Sequence, residues 1–529
     1  MKSTFAKYSA LSFVALLLAT SCTDDFEDIN TNPSTYSQAN FNPNYLLTTS
    51  QLGYTGSTDF AYDTWRANLI YSSTLVQGLS TVVGYWAGDK YLLNEDYTAA
   101  YWGGTTVGAY VEQVKPITDL VESTRGKDKY KNLHQVGRIM RALIMERITD
   151  LYGDVPYTEA GMGYYKGIIT PKYDKQQDIY NDLLKEVEEA TLALDPGADV
   201  PSGDVFYKGN IAQWQRLGNT LLLRMAMRLT KVDPEKAKAY ASKVQNKTMQ
   251  SNDDNAYVVH DVGGARVTQN RNSQVLLGDG GQEFYYVKWS KTFIDQLQST
   301  NDPRLSKVAV TQLYLADDNK TPNSAPVSTA SVQKGMPNGK DLSGRPAYDV
   351  SADPTFTKFT DYSSPSLGMI KRDGPTFVLT YAESELLLAE AAQRWGLGSA
   401  AEHYNAGVTA AITYLSQYDA SLTVAPADAA AFLAANPYEA GKGLEMINTQ
   451  YWVHTNTMLD FYESWANWRR SGYPELTPVV YPNNATNGQI PRRFPYPTTE
   501  ISSNPDNYKA ASSAVTGGDN LIGRVWWDK

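Results

Sequence analysis

The sequence predicts a mainly α fold, in which helical hairpins make a scaffold and one large irregular portion is set into it. Apolar residues recur at helical steps through several long stretches, and those stretches come in pairs joined by short breaks. Between about 250 and 370 the pattern gives way to Gly, Asn, Ser, Thr and Pro with only short helical pieces such as 288–298.

The strongest helix runs over 130–151. Leu133, Val136, Met140, Ile144, Ile148 and Leu151 recur at steps of three and four, which gives it one apolar face. Gly153 and Pro156 end it, the first by tolerating positive φ and the second by lacking an N–H. Asp150, Asp154 and Glu159 are expected to hydrogen-bond backbone around this corner. A helix over 101–123 is its expected antiparallel partner. Next come 177–194, with Ile179, Leu183, Val187, Ala190 and Leu194 on one face, and a helix marked by Trp214, Leu217, Leu221 and Met225. Asp233 and Pro234 stand in the N-cap and first-turn positions of 235–245. The stretch 375–395 is apolar on most sides, so it belongs between neighbours, and Gly396-Leu397-Gly398 turns it into 400–418. A further apolar and aromatic helix covers 452–468. Hairpins with small residues at their contacts point to tetratricopeptide-like units, which stack because one pair cannot bury its face alone.

Tyr and Trp are in excess, 37 and 11 against 14 Phe. Both combine an apolar ring with a polar handle and favour half-exposed surfaces. Tyr85, Trp86 and Tyr91 lie between glycines in a loop without periodicity, which makes them the first candidate ligand-binding residues. Asn270, Arg271, Asn272, Tyr285 and Trp289, in the irregular portion, supply amides, a guanidinium group and rings close together, and form the second candidate group. Arg266, Gln269, Gln274, Glu283 and Tyr286 lie in the same stretch. Arg492 and Arg493 are expected to pair with carboxylates in the core.

Lys2 and Lys7 followed by an apolar run over 10–19 make a secretory signal, too short to span a bilayer as a helix. Residues 1–21 are read as a lipoprotein signal peptide and 22–40 as a flexible tether acylated at Cys22, the only cysteine. Residues 41–529 then form a single domain, with the loop-rich insertion at about 250–370. Acyl chains such as palmitate, at about 0.8 kcal/mol per buried methylene, would hold the chain at a membrane. A net charge of −10 without a basic block excludes a nucleic-acid partner.

Four scattered histidines offer no zinc site, and no nucleophile elbow or phosphate-binding loop occurs, so no catalytic residue, no metal ligand and no cofactor is assigned. Asp253-Asp254-Asn255 and Asp317-Asp318-Asn319 carry oxygens that could hold a structural calcium ion, but neither has the Gly and closing Glu of a calcium loop. A helical glycoside hydrolase needs only two facing carboxylates, which 57 acidic residues can supply without a motif.

Ile148 to Ala160, ITDLYGDVPYTEA, resembles the signature corner of the SusD/RagB family of surface lipoproteins from Bacteroidetes. Tyr381-Ala382-Glu383-Ser384-Glu385-Leu386-Leu387-Leu388-Ala389-Glu390-Ala391-Ala392 is similar to the family's second signature. Pro491-Arg492-Arg493-Phe494-Pro495-Tyr496-Pro497 and Arg524-Val525-Trp526-Trp527-Asp528 match its terminal pattern, and Asp24, Asp25, Glu27 and Asp28 resemble its surface-export signal. The resemblance implies about four helical pairs and a lipid-anchored, surface-exposed protein of the outer membrane. It further implies a binding protein rather than an enzyme, which captures a nutrient and acts as lid to a SusC-like TonB-dependent transporter. The Tyr/Trp excess favours an oligosaccharide ligand, with an oligopeptide, as in RagB-type relatives, as the alternative.

Overall fold

A computed structural model describes residues 41–104 and 107–529; the signal segment, Cys22 and the tether over 22–40 lie outside the described residues. Helix α1 (Asn44–Tyr54) packs on α2 (Lys115–Thr124), which forms the expected hairpin with α3 (Lys131–Tyr152). The apolar stripe of α3 is buried from Leu133 to Leu151, and Gly153 closes the helix at φ 89°. The partner starts later than the sequence predicts, with a π-helical turn at Tyr110–Val114. Gly103 and Gly108 cause the delay: at φ near 100° their backbones touch, and a Cβ on Gly108 would lie 2.2 Å from the Gly103 Cα.

Helix α4 (Gln176–Ala193) lies between α3 and α5 (Ile211–Arg228), and α5 pairs with α6 (Pro234–Val244). As expected, the Asp233 side chain caps α6 by accepting the Lys236 N–H at 3.1 Å, with Pro234 in the first turn. Helix α7 (Tyr381–Trp395) forms the late hairpin with α8 (Ala400–Thr413). The expected start at 375 is corrected to Tyr381, because Thr380 and Glu383 make a reciprocal capping box there. After α9 (Pro426–Ala435), the single helix expected over 452–468 is two, α10 (Gly443–Thr457) and α11 (Phe461–Ser471). Leu459 at φ 59° breaks the run, and the Asp460 carboxylate restarts it by accepting the Glu463 N–H. A short helix α12 (Pro505–Ala514) precedes the last segment.

The irregular portion is tied to the helices by short antiparallel strands: β1 (Leu79–Thr81), β2 (Ala256–Val258), β3 (Val287–Trp289) and β4 (Thr376–Leu379). β1 pairs with β3 in the register Leu79 to Trp289, and β2 pairs with β4. Residues 288–290 thus extend rather than begin a helix, which runs over Lys291–Ser299.

Charge as well as apolar surface holds the helical side. Arg224 of α5 donates to Glu146 of α3 at 2.5 Å, and Arg228 donates to Asp150 at 3.0 Å and to Glu463 of α11. Asp150 also accepts Trp527 Nε1–H at 2.8 Å and the Tyr180 hydroxyl. It therefore serves the core rather than the corner, whereas Asp154 and Glu159 accept backbone N–H groups of Gln176 and Lys172 at 2.8 Å each, as expected. Arg492 and Arg493 pair with Asp528 and Asp519.

Candidate functional site

Three segments, the last of them 198 positions beyond Tyr85, build the aromatic surface nearest to the expected sites. The turn before the π-helix Thr64–Ser72 brings Phe60, at φ 56°, and Trp65 together edge-to-face at 5.4 Å. The loop after β1 brings Tyr85, 39% exposed, to 6.2 Å from Trp65 at a right angle. The helical turn Glu283–Tyr286, immediately before β3, supplies Glu283 beneath both rings. Trp65 donates its Nε1–H to Glu283 Oε1 at 2.9 Å, and the Tyr85 hydroxyl donates to the same oxygen. Burial and the Glu283 carboxylate push the Tyr85 phenol up, so it stays a donor at any working pH.

Glu283 is 1% exposed, and its Oε2 has no partner. Glycine allows this approach: a Cβ on Gly280 would lie 3.0 Å from the Trp65 ring. Over Phe60 lies the exposed Arg266, its guanidinium 4.0 Å from the ring centroid. Beside it, Arg372 grips Asp279 with two bonds of 2.7 and 2.6 Å and reaches Gln269 Oε1 at 3.1 Å. The same turn carries a second ring group, Tyr285 stacked on Phe359 at 5.2 Å with Tyr286 edge-on at 4.9 Å. Tyr286 donates to Asp317 at 2.6 Å.

Of the expected ligand-binding residues, Tyr85 and the half-buried Tyr285 face outward; the other six require correction. Trp86 is fully buried in the main core. Tyr91 is fully buried and its hydroxyl accepts the Val479 N–H at 3.2 Å. Trp289 stacks on Phe293 at 4.4 Å and donates to the Val308 carbonyl at 2.9 Å. Asn270 caps the helix Arg271–Leu276 through the Ser273 N–H at 3.1 Å, and Asn272 accepts from Asn68 at 3.2 Å. Arg271 is fully buried and donates to the carbonyls of Gly56, Arg266, Val267 and Gln269. Five of the six share a physical reason, since loop backbone that leaves solvent needs side-chain partners and these residues supply them; Trp86 is instead a ring packed into the core. Arg271 still matters to the surface, since it fixes the loop that presents Arg266.

Phe60 and Trp65 were not legible as site residues, because the approach of 60–65 to 283 comes from long-range packing with no local signal. Among the described residues, no group of His, Cys, Asp and Glu is placed to hold a metal ion. Asp254 accepts the Gln250 N–H at 2.9 Å and forms an ion pair with Arg216 at 2.9 Å, and Asp317 holds Tyr286, so these acidic runs have structural partners. Among the described residues no helix is long and apolar enough to cross a membrane.

The outward aromatic group thus sits on a helical scaffold, and the comparisons say which family that scaffold belongs to. The family model SusD-like, described as "Starch-binding associating with outer membrane", matches residues 40–497, and the chain belongs to that family. Its fold is that of solved SusD homologues. A chitin-binding protein is 33% identical with a TM-score of 0.79, the match covering 92% of this chain and 100% of the other. A Bacteroidetes SusD-like protein is 26% identical with a TM-score of 0.77 over 92% and 100%. A chitin-binding SusD homologue from Flavobacterium johnsoniae is 22% identical, TM-score 0.73, over 92% and 99%. No curated protein sequence matches the chain significantly.

Proposed function

We propose that this chain captures an oligosaccharide at the cell surface, anchored through acylated Cys22, and delivers it to a SusC-like TonB-dependent transporter for which it acts as lid. The observation that carries the reading is the Phe60–Trp65–Tyr85 platform pinned by Glu283, set on a SusD-like scaffold. Tyr85, 39% exposed, offers its ring to the apolar face of a sugar unit, with Trp65 edge-on behind it, while Arg266 and the exposed Gln282 add donors at the edge. The 33% identical chitin-binding protein supports oligomers of N-acetylglucosamine as the first ligands to try. Glu283 Oε1 holds two rings and Asp279 is clamped by Arg372, which supports a structural part for both carboxylates.

The test is calorimetry of the protein lacking residues 1–22 against chitin oligomers, starch oligomers and tryptic peptides, each mixture also followed for product. Chitin oligomers are expected to bind without hydrolysis. Trp65→Ala removes a ring of the kind that costs about 2 kcal/mol when truncated at a binding surface, or ~30-fold in Kd. Binding of peptides alone would move the ligand to the oligopeptide class, and release of product would replace the reading with a glycoside hydrolase.

A further inference from the structure

A separate cavity of about 530 Å3 lies where the corner after α3 meets the last segment of the chain. It shares no residue with the aromatic platform, and its size falls within the range of about 300–1,000 Å3 found for small-ligand sites. Its walls combine the rings of Tyr152, Tyr496 and half-buried Trp526 with the cations Lys175, Arg493 and Arg524. The acids at the wall already have partners. Asp154 accepts Lys175 Nζ and the Gln176 N–H at 2.8 Å each; Asp528 accepts Arg492 Nε–H at 2.8 Å and Arg524 Nη1–H at 3.2 Å.

Lys175 and Arg524 are the partners of these acids, and Arg493 is the cation that is less fully used. Arg493 is fully buried, donates to Asp519 at 2.5 Å and to the Tyr152 carbonyl at 2.8 Å, and leaves its buried Nε–H without an acceptor. A guanidinium group in that condition, at the wall of an aromatic-lined cavity, favours an anion there. The exposed Thr516 hydroxyl offers a partner for a neutral hydroxyl group. Ring, anion and hydroxyl requirements meet in one class of ligand.

We propose that this cavity binds a carboxylated pyranose, a hexuronate unit, with its ring against Trp526 and its carboxylate toward Arg493, Arg524 and Lys175. The site stands independently of the platform and of the oligosaccharide that the platform takes.

The experiment titrates the protein lacking residues 1–22 with glucuronate, glucose and benzoate, at low and at high salt. Glucuronate is expected to bind, and more tightly than either control, because glucose lacks the anion and benzoate lacks the hydroxyls. High salt and Arg524→Gln should each weaken it about tenfold, the cost of one charge-assisted hydrogen bond. The Arg524 side chain is 43% exposed, so this variant keeps the fold, which a thermal melt checks. Trp526→Leu should weaken glucuronate as well, whereas Trp65→Ala should leave it unchanged. Equal binding of glucose would remove the role of the cations, and tighter benzoate binding would remove the sugar. Absence of binding, or loss in Trp65→Ala with retention in Arg524→Gln, would overturn the site itself.

Discussion

Replacing Arg228 with Met tests whether charge pairing holds the helical side together. Arg228 is fully buried and bridges Asp150 of α3 to Glu463 of α11, and Met fills most of its volume without its charge. Stranding buried carboxylates costs about 3–5 kcal/mol. The loss is tempered here, because Asp150 keeps Tyr180 and Trp527 while Glu463 keeps the Tyr451 hydroxyl at 2.7 Å. A cost of about 4 kcal/mol is therefore expected. Unfolding entropy is about 2.1 cal/mol/K per residue, near 1 kcal/mol/K for a unit spanning Asn44–Lys529, so Tm should fall about 4 °C. The sign of the pH dependence follows from Glu463. Burial pushes its carboxyl up, and Arg228 with Arg224 outweighs burial to hold it below its usual value. Without Arg228 burial wins, the folded state takes up a proton more readily than the unfolded chain, and the deficit shrinks as pH falls from about 7 toward about 5. Calorimetric melts at both pH values decide it. A shift below about 1 °C at neutral pH, or a deficit of the same size at the acid end, would refute the reasoning.

Other perturbations probe single links. Glu283→Ala should strand the Trp65 and Tyr85 donors and weaken glycan binding measured by calorimetry, while Glu283→Gln, which keeps one carbonyl oxygen, should lose less. Burial raises the Glu383 carboxyl to about 7, with Arg224 opposing and Glu463 and Asp460 adding to it. Its stabilising proton is present at acid pH and lost as pH rises through about 7, so Glu383→Gln, which preserves the capping box, should gain on the parent in melts taken from about pH 5 to about pH 8. Gly153→Ala should cost about 2 kcal/mol by chemical denaturation, since its Cβ meets only Val525 at 3.6 Å and the penalty comes from φ 89° alone.

The parts legible in the sequence are those whose environment is set locally. The stripe of α3 and the Asp233-Pro234 start of α6 follow from spacing and capping within a few residues. The break between α10 and α11 is masked, because apolar and aromatic residues run straight through Leu459 and only the packed backbone shows the turn. For the site, Tyr85 and Tyr285 fall on outward surfaces, but the density of rings and amides elsewhere reflects loops that are themselves core. Trp86 and Trp289 are fully buried although they stand in irregular sequence, and Arg271 spends its guanidinium on four carbonyls. Composition identifies which residue types will be needed; it does not say whether the chain or the ligand will use them.

The Trp527 indole hydrogen-bonds Asp150 across a separation of 377 positions, and the Phe494 N–H reaches the Leu151 carbonyl at 3.0 Å. The longest helix among the described residues is therefore clasped by residues from the far end of the sequence. Asp150 is thus shared between distant parts of the chain, accepting from Arg228 and Tyr180 on one side and from Trp527 of the last segment on the other. A change in the last segment is therefore felt in the long helix, because one buried carboxylate serves both.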